Sequence, residues 1–291
     1  MNTADFKKKL TIGSANFTQK YGADLTKINR NEIKKILNFA KKNKIKKIDT
    51  AVNYLNQKNI FKKINKTFQF TTKITPDYRW VSLDYCQKKI DTHFKMFNRN
   101  EIKTLLFHDL NILFKDEGKK IFANLEILKK KKYYKNIGIS IYDTKCLSYM
   151  MQNYNFDVIQ CPYNILDKRI VHTGWFSRLK KRGIEVHVRS VFLQGLLVNE
   201  AVYKKRYFKK WQKYFFEWFQ TLKNKNISPI DYCLSDLLNH DFDQVIIGIN
   251  NCDDLKDIIN FKIIKNKIRM LKSISSDLRL IDPRNWRLNE T

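Results

Sequence analysis

The chain has 291 residues, of which 43% are apolar, so it can bury a substantial core and is not a disordered protein. Its 8 glycines and 4 prolines are too few for a collagen-like or linker-rich chain. No apolar run approaches the roughly 20 residues of a membrane span, and the first ten residues lack the apolar core of a signal peptide. Five scattered cysteines without a CxxC pair predict neither a disulfide framework nor a zinc site. We expect a cytoplasmic protein with a single domain over residues 1–291.

The balance of charge is strongly basic. Lys and Arg number 57 against 28 Asp and Glu, which gives a net charge of +29. A charge of this size can indicate a nucleic-acid or anionic-surface partner. Here it is spread along the whole chain and accompanies abundant Asn and Ile, the residues of AT-rich codons. Genome composition is therefore the simpler explanation, and nucleic-acid binding is the less favoured alternative.

Short apolar runs alternate with longer segments of helical periodicity. The first helical segment, 31–42, is preceded by Asn29, which forms a capping-box-like pair with Glu32. Later helical segments carry their apolar residues at 86–97 after a possible cap at Ser82, and at 121–128, 147–151 and 255–259. The predicted strands are 9–14, 45–49, 68–73, 104–108, 136–140, 158–160, 184–189 and 244–248.

Strands that alternate with helices at this spacing predict βαβ units and a parallel sheet. Eight strands in a chain of this length fit a (β/α)8 TIM barrel. A doubly wound sheet would require a glycine-rich turn after the first strand. The chain has Gly13-Ser14-Ala15-Asn16-Phe17 there and contains no GxGxxG motif, so the α/β barrel is favoured.

Polar residues stand at the ends of the predicted strands. In a βα barrel these ends converge on one mouth, where the chemistry takes place. Each residue alone has a structural explanation, such as a helix cap or a buried core histidine. As a set on neighbouring strands they indicate a site. The strand-end residues are Asp49, Lys73, His108, Ser140, Gln160 and Arg189, and Tyr54 lies five positions after the first of them.

Tyrosine, lysine, aspartate and histidine together can transfer a proton to a carbonyl oxygen. A phenol has an ordinary pKa near 10, and a neighbouring ammonium lowers a phenol's pKa because it favours the phenolate. A buried lysine needs a counter-ion, which Asp49 can supply. A histidine beside the phenol can orient and polarise the carbonyl. Tyr54, Lys73, Asp49 and His108 are therefore the candidate catalytic residues.

Seven segments, in order along the chain, resemble the aldo-keto reductase family. Ile12-Gly13-Ser14-Ala15-Asn16-Phe17 with Tyr21-Gly22 resembles the family's first strand and loop, and Ile48-Asp49-Thr50-Ala51 with Tyr54 resembles its Asp-Thr-Ala and Tyr motif. The remaining five are Phe70-Thr71-Thr72-Lys73, Leu106-Phe107-His108-Asp109, Gly138-Ile139-Ser140, Gln160-Cys161-Pro162-Tyr163-Asn164 and Ile247-Gly248 with the helix from Cys252.

This resemblance implies a barrel that binds NAD or NADP and reduces a small aldehyde, ketone or sugar-derived carbonyl. Tyr54 would protonate the oxygen, Lys73 and Asp49 would tune Tyr54, and His108 would orient the substrate. Ser140 and Gln160 would hold the carboxamide of the nicotinamide. Further cofactor contacts are expected from Gly13, Ser14, Asp49, Arg189, Gly248, Asn250 and Asp254.

The chain departs from the family pattern at two cofactor positions. Ile141 follows Ser140 where the family usually has Asn, and Arg189 stands where many members stack a Tyr on the nicotinamide. A planar guanidinium can also stack on a ring. For the substrate pocket we expect Phe17 beside the entrance, and at least one of Trp80 and Trp286 in the wall, because most ligand sites need an apolar surface.

The choice of dinucleotide depends on the helix after the eighth strand, where the family binds the adenosine ribose. Members that use the 2′-phosphate place basic residues there, whereas this chain has Gly248 and Asp254 at those positions. Carboxylates oppose a phosphate and can accept a hydrogen bond from a 2′-hydroxyl. We therefore expect NAD(H) to bind at least as well as NADP(H).

Two alternatives to a reductase remain from the sequence. A barrel of this family could serve as a dinucleotide-sensing scaffold with negligible turnover. The segment 203–211 interleaves bases with aromatics, as nucleic-acid-binding and membrane-surface segments do. Its continuation spaces Tyr207, Trp211, Phe215, Trp218 and Leu222 as one helical stripe, which favours a core face instead.

Overall fold

The structure is a computed structural model, and it describes residues 3–18, 20, 22–23, 27–54, 58–61, 67–95, 102–265 and 277–286. Its centre is a closed barrel of eight parallel strands in sequential order, β1 pairing with both β2 and β8. This confirms the predicted (β/α)8 barrel. The strands are β1 (Leu10–Gly13), β2 (Lys47–Asp49), β3 (Gln69–Ile74), β4 (Ile102–Phe107), β5 (Asn136–Ser140), β6 (Val158–Pro162), β7 (Glu185–Arg189) and β8 (Gln244–Gly248).

Helices connect the strands and cover the outside of the barrel. The α-helices are α1 (Thr3–Lys9), α2 (Ala15–Thr18), α3 (Arg30–Lys42), α4 (Lys58–Phe61), α5 (Leu83–Phe94), α6 (Glu117–Lys130), α7 (Leu147–Asn153), α8 (Arg169–His172), α9 (Trp175–Lys181), α10 (Glu200–Tyr203), α11 (Gln212–Asn224), α12 (Pro229–Leu237), α13 (Cys252–Ile259) and α14 (Leu278–Ile281). Short 3₁₀ helices occupy Tyr78–Val81, Asn111–Phe114, Leu193–Gly195, Arg206–Trp211 and Pro283–Asn285.

Local sequence accounts for the helix starts. The Asn29 side chain accepts a hydrogen bond from the Glu32 N–H at the start of α3, and Ser82 accepts one from the Tyr85 N–H at the start of α5. Such caps satisfy backbone donors that have no partner within the helix. The apolar stripe of α3, Ile33, Ile36, Leu37 and Ala40, is buried against the barrel.

One glycine sets the spacing of β5 and β6. A Cβ built on Gly138 would lie 2.0 Å from the Val158 carbonyl oxygen, so no side chain fits there. Gly138 is paired with Val158, and two residues further the same register pairs Ser140 with Gln160. The close contact of the two strands therefore places two predicted cofactor residues side by side at the barrel mouth.

A second core cluster lies under α10 and α11. Trp211, Phe215, Trp218 and Leu222 are buried there, and the Trp218 indole donates a 3.1 Å hydrogen bond to the Leu197 carbonyl. The aromatic part of the basic segment is thus core, as its helical spacing predicts. Phe97, predicted to point inward, lies outside the described residues.

Candidate active site

A cavity of about 320 Å³ opens at the carboxyl ends of the strands. The segments that follow β1, β7 and β8 close its sides. The predicted residues that line it are Gly13, Ser14, Asp49, Tyr54, Lys73, His108, Ser140, Arg189, Gly248, Asn250 and Asp254. The barrel therefore brings the four candidate catalytic residues and most of the candidate cofactor residues to one cavity.

A buried ion pair lies at the bottom of the cavity. The Lys73 ammonium donates to Asp49 Oδ1 and, at 3.2 Å, to the Thr50 carbonyl. Both side chains are almost fully buried. The third N–H of Lys73 has no partner in the described part of the chain, and Lys73 lines the cavity. The ion pair can therefore direct one ammonium proton towards a group in the cavity.

Burial weakens the charge on Lys73. Desolvation lowers the pKa of Lys73 below its ordinary value, and Asp49 opposes this shift through its charge and its hydrogen bond. Arg189 adds a smaller lowering because it is a second cation nearby. Asp49 is thus the main group that opposes the loss of the Lys73 charge.

Gln160 extends the ion pair across the barrel. Its amide Nε2 donates to Asp49 Oδ2 at 2.7 Å, and its Oε1 accepts a 3.1 Å bond from the Ser140 hydroxyl. Gln160 is completely buried and is not among the described lining residues, whereas Ser140 lines the cavity. The observed contacts of Gln160 therefore orient the Asp49 carboxylate and the Ser140 hydroxyl.

His108 is neutral at physiological pH. Burial is the main cause and the nearby Lys73 charge the next, and against the opposing effect of Asp49 they lower its pKa from 6.5 to about 4. A neutral imidazole keeps one N–H donor and carries no charge that would repel Lys73. His108 can therefore offer a hydrogen bond to an oxygen in the cavity.

The edge of the cavity beside β8 is built by backbone and amide groups. Asn16 Nδ2 donates to the Ile249 carbonyl and to Asn250 Oδ1, both at 2.9 Å. Asn16 Oδ1 is buried without a partner among the described residues, and Asn16 lines the cavity. Gly248 has open space where a Cβ would stand. An unsatisfied acceptor and an uncovered backbone are features of a surface that receives a ligand.

Side-chain acceptors occupy the start of α13. Glu32 Oε1 accepts from the Cys252 N–H at 2.8 Å, Asn251 Oδ1 from the Asp254 N–H at 2.8 Å, and Asp254 Oδ2 from the Asn250 N–H at 3.0 Å. Two of these three acceptors are carboxylates. The capping-box interpretation is correct for the Asn29 side chain, but the Glu32 carboxylate contacts α13 instead of its own helix start.

Arg189 contacts Tyr142, a residue that the strand-end argument did not select. The Arg189 guanidinium lies 4.1 Å from the centroid of the Tyr142 ring and donates to the Ile141 carbonyl at 3.0 Å. Tyr142 lines the cavity two residues beyond Ser140. The Ile141 side chain is buried in the core, so it offers no polar group to a ligand.

Three residues predicted for the substrate pocket lie elsewhere. Phe17 and Trp80 are buried in the main core, and Trp286 packs edge-on against Phe208 and donates its indole N–H to the Leu280 carbonyl. None of the three is among the described lining residues of the cavity. Their apolar area is covered by their own core clusters, so the expected aromatic wall is not formed by them.

The search against family models gives a match to the Aldo/keto reductase family over residues 9–276. The chain belongs to this family. Membership supports an oxidoreductase that acts on carbonyl groups, and the family in general uses NAD(P)H. A search of curated protein sequences finds no match.

Solved structures share the fold. The holo form of the aldo-keto reductase AKR11C1 from Bacillus halodurans is 18% identical, with a TM-score of 0.67 over 92% of this chain and 89% of that one. Its apo form is 19% identical, with a TM-score of 0.61 over 84% and 83%. In the part of the chain that the structure describes, no helix is long and apolar enough to cross a membrane.

Proposed function

We propose that the protein is an NAD(P)-dependent reductase of small aldehydes, ketones or sugar-derived carbonyls, with Tyr54 as the general acid. The observation that carries this proposal is the Asp49–Lys73 ion pair in the same cavity as Tyr54 and His108. Because Lys73 keeps one N–H unused among the described residues, it has a donor available for a phenolate oxygen. That donor would ease the loss of the Tyr54 proton.

The cavity edge fits a nicotinamide dinucleotide. Asn16 Oδ1, the Ser140 hydroxyl and the open backbone at Gly248 suit an amide and sugar hydroxyls, while Gly13, Ser14 and Asn250 extend the same surface. Arg189 is proposed for the nicotinamide ring and Asp254 for the adenosine end. When bound, the cofactor supplies the hydride that adds to the carbonyl carbon.

The chain's own residues would then complete the reduction. The neutral His108 imidazole donates a hydrogen bond to the carbonyl oxygen and orients it towards Tyr54. The Tyr54 hydroxyl gives its proton to that oxygen, so the product is an alcohol. Lys73 stabilises the resulting phenolate, and Asp49, held by Gln160, keeps Lys73 charged.

The test is the loss of nicotinamide absorbance with a panel of aldehydes, including sugar aldehydes. Tyr54→Phe should reduce kcat about 10³-fold while the dinucleotide still binds. Tyr78→Phe, a matched change at an exposed tyrosine outside the cavity lining, should leave the rate intact. Activity that survives Tyr54→Phe contradicts the mechanism, and tight dinucleotide binding with no turnover on any carbonyl favours the scaffold alternative.

We also propose that NAD(H) binds at least as well as NADP(H). The side chains of Glu32, Asn251 and Asp254 already accept hydrogen bonds from the N–H groups that a 2′-phosphate would meet at the start of α13. The Glu32 and Asp254 side chains are also negatively charged and would repel the phosphate. Dissociation constants for NADH and NADPH decide the matter. Glu32→Gln should improve NADPH binding more than NADH binding, because it removes a negative charge. In the unmodified protein, a dissociation constant for NADPH about tenfold lower than that for NADH would contradict the proposal.

A further inference from the structure

Tyr142 is held from three sides by arginine side chains. The Arg189 and Arg284 guanidinium carbons lie 4.1 and 3.7 Å from its ring centroid, and Arg169 donates to its carbonyl oxygen at 3.0 Å. Two guanidinium groups do not fit on one face of a ring at these distances, so they cover both faces. We name Arg169, Arg189 and Arg284 the arginine clamp.

The clamp is itself fixed in position. Arg169 is hydrogen-bonded to Asp167 and Asp143, and Arg284 donates to both oxygens of Asp282. Bidentate carboxylate pairs hold a guanidinium plane in one orientation. Tyr142 is therefore a pre-oriented side chain at the cavity rather than a mobile one.

With both ring faces covered, Tyr142 can present only its edge and its hydroxyl to a ligand. In the described part of the chain that hydroxyl has no hydrogen-bond partner, although Tyr142 lines the cavity. A fixed hydroxyl without a partner favours ligands that carry a matching polar group.

The charges around Tyr142 decide which polar group that is. Asp143 and Asp167 pair with Arg169, and Asp282 pairs with Arg284, so three carboxylates balance the three guanidinium groups of the clamp in total charge. The group as a whole carries no net positive charge that would select an anion. A neutral hydroxyl, which both donates and accepts, is the better match for a phenol.

We infer that Tyr142 is a specificity-determining residue that selects carbonyl substrates bearing hydroxyl groups, and that Arg284 is a positioning residue acting through it. This inference rests on the proposed reductase function. Glyceraldehyde and propanal form a matched substrate pair, because they share a three-carbon aldehyde chain and differ in two hydroxyl groups.

The test compares kcat/KM for the two aldehydes. Tyr142→Phe keeps the ring between the guanidinium groups and removes only the hydroxyl. The ratio of glyceraldehyde to propanal should fall about tenfold, mainly through KM for glyceraldehyde. An unchanged ratio overturns the inference.

Arg284→Leu should move the same ratio in the same direction by about threefold, because Tyr142 loses the cover of one face. Arg279→Leu is the matched control. Arg279 donates hydrogen bonds to both carboxylate oxygens of Asp277, two residues before it, just as Arg284 does to those of Asp282. Arg279 is exposed and is not stacked on Tyr142. Equal effects of the two leucine variants would overturn the positioning role.

Ligand binding separates failure of this inference from failure of the proposed function. Saturation-transfer NMR with glycerol and 1-propanol reports contact with the protein without any turnover. If the protein reduces no aldehyde, the reductase proposal fails, and a glycerol signal that is lost in Tyr142→Phe still supports the Tyr142 role. Equal glycerol signals in both proteins overturn it.

Discussion

Among the described residues, ion pairs of lysine and aspartate lie at both ends of the barrel, but only the pair at the carboxyl end leaves a hydrogen-bond donor available to the cavity. At the amino end, Asp157 pairs with Lys129 at 2.5 Å and also accepts the Ile137 N–H, while Asp243 pairs with Lys180 and accepts the Val186 N–H. These carboxylates join strand to strand through the backbone. At the carboxyl end, Asp49 and Lys73 are bonded to side chains and one carbonyl, and an ammonium proton remains beside a cavity. The same residue types are structural at one end and suited to chemistry at the other.

The largest expected effect is on kcat/KM and distinguishes Lys73 at the carboxyl end from Lys129 at the amino end. Lys73→Met should lower kcat/KM at least about 10³-fold, because Tyr54 loses the cation that stabilises its phenolate. Lys129→Met removes the equivalent partner of Asp157 and should leave kcat/KM within about twofold. Steady-state kinetics on both variants, with circular dichroism to confirm folding, decides it. Comparable losses of kcat/KM in the two variants would contradict a catalytic role that is confined to the carboxyl end of the barrel.

The aspartates should separate activity from stability. Asp49→Asn removes the counter-ion of Lys73, and we expect kcat/KM to fall about 10²-fold because the lysine then favours its neutral form. Asp157→Asn should keep the activity but lower the free energy of unfolding by about 1–3 kcal/mol, since a backbone N–H loses a charged acceptor. Denaturant unfolding and kinetics are measured on each. A stability loss without an activity loss in Asp49→Asn would contradict this division.

The serine at the cavity should give a smaller effect. Ser140→Ala should weaken dinucleotide binding about three- to tenfold, the value of one hydrogen bond. Ser82→Ala is the matched change at the N-cap of α5 and should cost about 1 kcal/mol of stability with no change in cofactor affinity. Fluorescence titration measures both affinities, and an unaltered dissociation constant in Ser140→Ala would remove Ser140 from the cofactor site.

A further effect concerns pH, and on activity alone it is expected only at His108. The unfolded chain binds a proton at His108 near pH 6.5, whereas the folded protein resists it until about pH 4. The contribution of neutral His108 to the free energy of unfolding is therefore fully present above pH 6.5 and is lost as the pH falls towards 4. His108→Gln should flatten the fall in unfolding free energy between pH 6.5 and 4. His93→Gln should flatten it similarly, because burial lowers the His93 pKa to about 4, but only His108→Gln should reduce activity. A slope unchanged by His108→Gln would show that this residue is not held neutral.

The sequence predicts the barrel and its mouth well because both depend on local patterns. Apolar runs locate all eight strands, and in a parallel barrel their ends must converge, so Asp49, Lys73 and His108 follow from periodicity alone. Strand ends shift by one or two residues: β4 ends at Phe107 rather than His108, and β3 continues to Ile74. The predicted cavity-lining role of each strand-end residue except Gln160 agrees with its position.

The contacts that the sequence does not reveal are long-range and carried by side chains. Glu32 and Cys252 are 220 residues apart, and no local pattern distinguishes this bond from a capping box. Tyr142 is identified only by the two guanidinium groups over its ring, one of them from the last described segment. The need of a ligand site for an apolar wall predicts at least one of Trp80 and Trp286 in the pocket, whereas packing against Tyr85 and Phe208 determines where they lie.

The hydrogen bond from Gln160 to Asp49 joins β6 to β2, two strands on opposite sides of the barrel. Neither half of the chain contains both partners, and the ring is complete only when β8 pairs with β1. The orientation of Asp49, and through it that of Lys73, is thus a product of ring closure. During refolding, catalytic competence should therefore return only once the ring has closed, so that activity reports closure of the barrel.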